Sequence, residues 1–194
     1  MTAEWERLGA IVLTQVHARQ IVHDGFYDHA RLRPVDGLWL TGHGVVGFDG
    51  EQAILDFHHR DHPERRKWSP NRLLSVGFTG HYREIQGHFG HVAVGAGAEN
   101  IVVDAERIFT EDDLAGGIRI VAGDSSVVLT GAAIARPCLP FTAFLLGNQN
   151  TSGELLAAHR PHLDGGIRGY VLGLGQVESP MWVAAGDEVW RRVG

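Results

Sequence analysis

Short apolar runs interrupted by glycine dominate the chain, and few of them show helical spacing. Runs rich in valine, isoleucine and leucine between turn residues are typical of strands. The 26 glycines are spread along the sequence, which indicates many tight turns. The pattern therefore predicts a mainly β barrel with a few short helices rather than a parallel doubly wound sheet. Strands are predicted over residues 10–22, 38–48, 73–78, 101–103, 118–121, 127–134, 169–174, 181–184 and 188–189.

Helical signals are confined to three places. Residues 79–89 carry apolar side chains at helical spacing, with Thr79 as the expected N-cap. The capping-box spacing of residues 110–113 predicts one helical turn. The same spacing at residues 151–154 predicts a short helix that Pro161 ends, because proline interrupts the helical hydrogen bonds.

The most polar stretch covers residues 56–70 and contains three histidines and the basic run Arg65-Arg66-Lys67. Polar stretches of this length without periodicity are typical of surface loops. We therefore predict an exposed loop. Its basic residues are either an ordinary solvated charge run or donors for an anionic ligand.

Composition limits the classes of function. The chain has 194 residues, of which 44% are hydrophobic, so one globular domain over residues 1–194 is expected. The formal net charge of −6 argues against nonspecific attraction to nucleic acid. No apolar run approaches the ~20 residues of a membrane-spanning helix, and the first residues do not resemble a secretory signal. The expected location is therefore the cytoplasm.

The one cysteine of the chain, Cys138, is the first candidate for chemistry. A thiolate is both a nucleophile and a metal ligand, and a nearby cation stabilises it. Arg136 lies two positions upstream, on the same face if the strand continues, and Pro137 stiffens the connection. We expect the strand to finish near Arg136 and to leave Cys138 at a strand-to-loop boundary. The alternative is an inert, buried thiol beside Leu139 and Phe141.

Five segments, in a fixed order, resemble the signature segments of MOSC domains, the carboxy-terminal domains of molybdenum cofactor sulfurases. They are residues 135–138 (Ala-Arg-Pro-Cys), preceded by 97–101 (Gly-Ala-Glu-Asn-Ile) and 123–124 (Gly-Asp), and followed by 165–170 and 185–189. Each segment alone is a weak signal, but five in order across about residues 90–194 identify the resemblance.

The upstream half matches the family less well. Residues 44–50 resemble the family's Gly-x-x-Gly-Asp-x-His segment, but Phe48 stands where aspartate is usual. Ala98 likewise occupies a usual glycine position. These departures concern the presumed cofactor pocket more than the fold.

The resemblance implies a MOSC-type antiparallel β-barrel that binds the molybdenum cofactor. Cys138 would carry sulfur as a persulfide, with Arg136 as its electrostatic partner. In the related reductases of N-hydroxylated compounds, the same cysteine would ligate molybdenum. The implied partner is a sulfur donor or an electron-donor protein, because no flavin or nicotinamide site is recognisable. The family's pyridoxal-phosphate domain is lacking, so a stand-alone domain is expected.

Other residues are candidates for holding the cofactor. Molybdopterin carries a phosphate that needs fixed donors, for which Arg168 and Arg66 are available. Glu99 and Asn100 can bond a pterin ring or, alternatively, fasten a turn. Asp49 belongs to the upstream segment of the same presumed pocket. A third interpretation is a MOSC-like barrel that has lost the chemistry and serves as a ligand-binding or interaction module.

The chain contains 12 histidines, some at spacings that allow a shared divalent ion. None lies in a cysteine–histidine framework or a His-Glu-x-x-His pattern, so scattered surface histidines are the favoured interpretation. The three candidate groups are His58, His59 and His62; His81, His88 and His91; and His159 and His162.

Overall fold

The computed structural model of the protein describes residues 4–65 and 67–193. The chain is mainly β, with 37% strand and 19% helix, as the glycine-punctuated apolar runs predict. The strands, numbered β1 to β15 in chain order, are Glu4–His17, Val22–His23, Phe26–Tyr27, Leu32–Pro34, Gly37–Thr41, Gly44–Asp49, Gln52–Leu55, Leu74–Phe78, Ile101–Val103, Ile118–Ala122, Ser125–Leu129, Ala133–Ile134, Tyr170–Leu172, Met181–Ala184 and Glu188–Val193. The helices α1 to α4 are Thr79–Phe89, Glu111–Leu114, Leu139–Leu145 and Gly153–His159.

Most strands belong to one large sheet that curls into a half-barrel. Its order is β11-β10-β15-β1-β9-β8-β13-β12, with β4 paired to β1, while β14-β5-β6-β7 form a second sheet. Among the described strands, β8 and β9 pair in parallel, because α1 crosses over between them. The other described pairs are antiparallel. The mainly β fold class is confirmed.

Strand β1 reaches across the sheet because it bends. Its register shifts between Arg7 and Gly9 and again between Ile11 and Leu13. Irregularities of this kind bend a strand and increase its twist. The strand therefore pairs first with β15, then with β9, and last with β4, and it delivers His17 to the end of the sheet.

Two apolar clusters form the core. The larger lies between the sheets and includes Leu38, Val76 and Ile120, all fully buried. The smaller packs α1 and α3 against the sheet through Tyr82 and Phe141. Each fully buried side chain of this size contributes about 1.5–3 kcal/mol relative to its exposed state. The smaller cluster fixes the helices that surround the site described below.

Several predicted boundaries are wrong, for local reasons. Thr79 does not cap α1; Phe78 holds the N-cap position, and the Thr79 hydroxyl accepts instead from the Ala105 amide at 3.0 Å. Ser152 rather than Thr151 caps α4. The end of α4 at His159 agrees with the prediction, and a 3-10 turn, Arg160–Leu163, follows directly.

The segment before Cys138 also differs from its prediction. The predicted strand 127–134 is split into β11 and β12 around Gly131, whose φ of +72° turns the chain. Strand β12 ends at Ile134, and Cys138 is the N-cap residue of α3, a helix that the sequence pattern did not reveal.

The described residues of the polar stretch, 56–65 and 67–70, form a loop, as predicted, but part of it is buried. Asp56 is fully buried, and His59 and His62 are 6% and 7% exposed. The Phe57 amide donates to the His17 carbonyl at 2.8 Å, which ties the start of the loop to the end of β1. In the part of the chain that the structure describes, no helix is long and apolar enough to cross a membrane.

Candidate functional site

A cavity of about 1040 Å³ lies at the end of the large sheet, where β1 ends and β8 and β13 begin. Basic side chains outnumber acidic ones on its wall. The acidic residues are Asp24, Glu64 and Glu99. An anionic ligand is therefore favoured over a cationic one. The basic residues are Arg65, Lys67, Arg72, Arg136 and Arg168.

Asp56 is buried beneath the cavity, where its carboxylate joins several segments of the chain through hydrogen bonds. Its Oδ2 accepts from the His17 amide at 2.8 Å and from Asn100 Nδ2 at 2.9 Å. Its Oδ1 accepts from the amide and Nδ1 of His58 at 2.7 and 3.0 Å. Burial alone would raise the pKa of Asp56, but the two histidines and these donors outweigh burial and hold the pKa well below its usual range. The carboxylate is ionised and fully bonded.

Asn100 holds Asp56 in place rather than offering its amide to a ligand. The side chain also donates to the Gln15 carbonyl at 3.2 Å, and its Oδ1 accepts from Ser75 at 3.0 Å. Asn100 lines the cavity, as its predicted role requires, but these bonds already use both kinds of polar atom in its amide. The structure thus favours the alternative in which this residue fastens the local chain.

Glu99 is buried at the cavity wall, where Tyr82 donates to its Oε2 at 2.6 Å. Burial raises the pKa of Glu99, while the Tyr82 bond and the nearby Arg168 charge oppose that rise. Two glycines make room for the side chain: a Cβ at Gly77 or Gly97 would lie within 3.0 Å of Glu99 atoms. The two glycines therefore provide the space that the Glu99 side chain occupies.

Arg168 is the central cation of the site. Its Nη1 donates to the Arg136 carbonyl at 2.7 Å, and its guanidinium lies 5.0 Å from the centre of the Phe141 ring. Its Nε is buried and has no hydrogen-bond partner among the described residues. A buried guanidinium nitrogen without a partner is costly, so this donor is available to a ligand that enters the cavity.

Cys138 is partly exposed and packs against the smaller cluster. Among the described residues, Arg136 and Ala135 line the large cavity but Cys138 does not. Burial raises the pKa of the Tyr27 hydroxyl; Glu99 and Cys138 add to the rise and Arg168 opposes it. The Cys138 thiol therefore lies near the Tyr27 hydroxyl, as the cavity residues Glu99 and Arg168 also do.

The predicted partnership of Arg136 with Cys138 takes a different form. Arg136 is exposed, and within the described ranges no hydrogen bond or ion pair joins its guanidinium to the sulfur. Strand β12 ends at Ile134, before both residues, so strand alternation does not align their side chains. Arg136 contributes its carbonyl to Arg168 and its side chain to the cavity wall.

The remaining predicted site residues lie elsewhere. Asp49 is exposed at the tip of the β6–β7 hairpin, where Arg33 donates to its Oδ2 at 2.8 Å, and it does not line the cavity. Its assignment to the cofactor pocket has no support in this geometry. Arg66 lies outside the described residues, although its neighbours Arg65 and Lys67 line the cavity.

The histidines group differently from their sequence spacing. His58 meets His17, with ring centres 5.0 Å apart, rather than His59 or His62. His88 meets His159 and His162 on the surface. The favoured interpretation, that the histidines are scattered over the surface, does not hold for all of them. His17, His59, His62 and His81 are buried, and His81 accepts from the Phe109 amide at 3.0 Å.

Ala98 adopts a backbone conformation that favours glycine, the residue usual at this position in MOSC domains. Its φ is +68°, and its carbonyl faces His17 Nε2 at 2.6 Å. The left-handed conformation costs a non-glycine residue about 1–2 kcal/mol. The loop therefore stores strain directly beside the buried network.

This strain is measurable with two matched variants. Ala98→Gly and Ala96→Gly each remove one buried methyl group and loosen the unfolded chain equally, but only Ala98 has a positive φ. Ala98→Gly should therefore be the more stable variant by about 1–2 kcal/mol in urea unfolding. Equal stability of the two would show that Ala98 carries no strain.

Sequence reasoning missed His17, Asp56 and Tyr82. They come from β1, the loop after β7 and α1, and only the tertiary structure brings them together. The one usable signal was an aspartate two positions before a histidine, in a stretch otherwise predicted to be exposed.

No protein-family model and no curated protein matches the sequence. Solved structures are similar, and three of them are described here. The YuaD protein from Bacillus subtilis has a TM-score of 0.62 at 18% identity, over 98% of this chain and 100% of that chain. A hypothetical protein has a TM-score of 0.52 at 16% identity, over 96% of this chain and 68% of the other.

The third structure is YiiM from Escherichia coli, with a TM-score of 0.47 at 16% identity, over 97% of this chain and 70% of that chain. A score this low supports no inference. The likeness to YuaD supports the mainly β fold that the apolar pattern of the sequence predicts. At 18% identity, that likeness concerns the fold alone.

Proposed function

We propose that this chain binds the molybdenum cofactor in the large cavity and that Cys138 carries sulfur for it. The observation that carries the proposal is the basic cavity wall around Arg168, whose buried Nε has no partner among the described residues. Anionic, phosphate-bearing ligands are the chemical class that such a wall selects. The MOSC-like fold and the ordered sequence motifs narrow that class to molybdopterin.

The residues present fit the phosphate and ring portions of this cofactor. A volume of about 1040 Å³ is ample for a ring system with one phosphate. Arg168 and Arg65, whose Nε atoms are both buried without partners in the described chain, would hold the phosphate. When bound, the cofactor supplies a molybdenum centre that accepts a terminal sulfur or exchanges electrons with a substrate.

Cys138 would take up sulfur by exchange with a persulfide donor. Its thiolate attacks the outer sulfur of the donor, a new S–S bond forms at Cys138, and the donor's S–S bond breaks. The donor leaves as a thiolate, so no external oxidant is needed. The partly exposed position at the start of α3 leaves the thiol accessible to a donor protein.

The proposal is tested by cofactor content. Protein made in a host that synthesises the molybdenum cofactor should contain molybdenum and pterin, and Arg168→Gln should bind the cofactor about 10- to 100-fold more weakly, as expected for the loss of a charged hydrogen bond. Arg7→Gln is the matched control, because it removes an exposed pair with Glu188 on β15. Wild-type protein without molybdenum or pterin would refute the proposal, as would equal cofactor affinity in Arg168→Gln.

A second candidate is a ligand-binding module that has lost the sulfur chemistry. It is favoured by one observation: of the described residues on the cavity wall, none is Cys138. This candidate keeps the anionic ligand at Arg168 but predicts a thiol that takes up no sulfur.

A further inference from the structure

Three metal-ligating side chains converge at the wall of the cavity. His17 ends β1, and Asp56 and His58 begin the loop after β7. One ligand atom from each of the three lies within 4.8 Å of the other two. Asp56 and His17 are buried, while the side chain of His58 is 36% exposed, and both histidines line the cavity.

The hydrogen bonds of His17 leave one ring nitrogen free. Its Nε2 lies 2.6 Å from the Ala98 carbonyl, which can only accept, so Nε2 carries the proton. The other nitrogen, Nδ1, therefore bears a lone pair, and it is buried with no hydrogen-bond partner among the described residues. This lone pair is therefore available to a metal ion, which needs a ring nitrogen without a proton.

His58 completes the set through the ring nitrogen that faces Asp56. Its Nδ1 lies 3.0 Å from Asp56 Oδ1, a separation at which two atoms can ligate one ion. In the metal-bound state, Nδ1 would give its lone pair to the ion and the ring proton would be on Nε2. The ion would replace the hydrogen bond between these two atoms, and the Asp56 carboxylate would keep its other three bonds.

We propose that His17, Asp56 and His58 bind one divalent first-row transition-metal ion at the cavity wall. Two imidazoles with a carboxylate suit zinc, cobalt, iron or manganese. Three protein ligands leave at least one coordination position open, and it would face the cavity that His17 and His58 line. Such an ion would add a further cationic group to the cavity for an anionic ligand. The site goes beyond the proposed cofactor binding, because it uses neither Arg168 nor Cys138.

The surrounding charges predict selectivity. Arg168 and Arg65 line the same cavity as His17 and His58. These cations oppose an ion that is held by charge alone, so Mg²⁺, which prefers oxygen ligands, should not bind. An ion that prefers imidazole nitrogen should still bind, because its affinity for the two histidines does not depend on charge alone.

A surface histidine group is the main source of competing metal binding. His88 Nε2 lies 2.8 Å from His159 Nδ1, and the His88 and His162 rings stack 3.5 Å apart. Ring lone pairs lie in the ring plane, so stacked rings do not point at a common centre. This group should bind metal more weakly than the cavity site, and it supplies the control variant.

The test is titration with Co²⁺, whose visible spectrum reports imidazole coordination, using protein made without the molybdenum cofactor. Wild type should bind one tight equivalent, and Mg²⁺ should not displace it. His58→Gln should weaken that equivalent by at least about 100-fold, the upper end of the cost of losing an outer-shell partner. His58 is chosen because its partial exposure lets the variant fold, which far-UV circular dichroism checks. His162→Gln and Cys138→Ser should bind Co²⁺ as wild type does.

Three outcomes would overturn the metal site: no tight Co²⁺ equivalent in the wild type, wild-type affinity in folded His58→Gln, or loss of the tight equivalent in His162→Gln. If protein from a host that makes the molybdenum cofactor contains no molybdenum or pterin, while cofactor-free protein binds Co²⁺ in this pattern, the proposed function is refuted and the metal site is supported. The two proposals can therefore fail separately.

Discussion

Replacement of Asp56 by asparagine is expected to lower the free energy of unfolding by about 3 kcal/mol, measured by urea denaturation at neutral pH. The carboxylate accepts four bonds from N–H groups of His17, His58 and Asn100. Asparagine keeps the shape but turns an NH2 group toward two of these donors, which leaves buried polar groups unpaired. The matched control is Asp49→Asn, which removes an exposed pair with Arg33 and should cost less than about 1 kcal/mol.

The effect of Asp56 should depend on pH. Because the folded pKa of Asp56 lies below its unfolded value of about 3.9, its stabilisation is complete above that value and is lost as the pH falls toward the folded pKa. The difference between wild type and Asp56→Asn should therefore shrink below about pH 4. A difference that stays constant through that range would show that the ionised carboxylate is not the source of the stability.

Incubation with a low-molecular-weight persulfide donor is expected to add one sulfur atom to the wild-type protein and none to Cys138→Ser, as measured by intact-protein mass spectrometry. The loss should be complete, because the chain has one cysteine. Sulfur uptake also requires an accessible thiol, which the partial exposure of Cys138 provides.

One arginine variant refines this result. Arg136→Gln should leave the rate nearly unchanged, because an exposed guanidinium without a direct contact is strongly screened. Folded wild-type protein that takes up no sulfur would exclude the carrier role and favour the ligand-binding module.

The sequence predicted those elements whose periodicity is local. The apolar pattern placed β8, β9 and α1 almost to the residue, because burial on one face sets the spacing of their side chains. Helix α3 was missed because Pro137 was interpreted as the end of a strand. Pro140, in the first turn of α3, is the overlooked signal, since proline is favoured at helix starts.

The candidate site was predictable only where a motif carried it. Glu99 and Arg168 were identified from segments that resemble MOSC domains, and both line the cavity. Asp56 and His17 are 39 residues apart and meet only when the loop after β7 docks on β1. Polarity alone made Asp56 look solvated, whereas four hydrogen bonds offset the cost of burying it.

The pairing of β1 with β15 has a consequence for synthesis of the chain. Arg7 and Glu188, which join the two strands, are 181 residues apart. At about 5–20 residues per second, the first strand leaves the ribosome roughly ten seconds or more before its partner. Its unpaired N–H and C=O groups stay open to other strands during that time. Nascent chains should therefore depend on holding chaperones, and faster translation or lower temperature should change the yield of native protein.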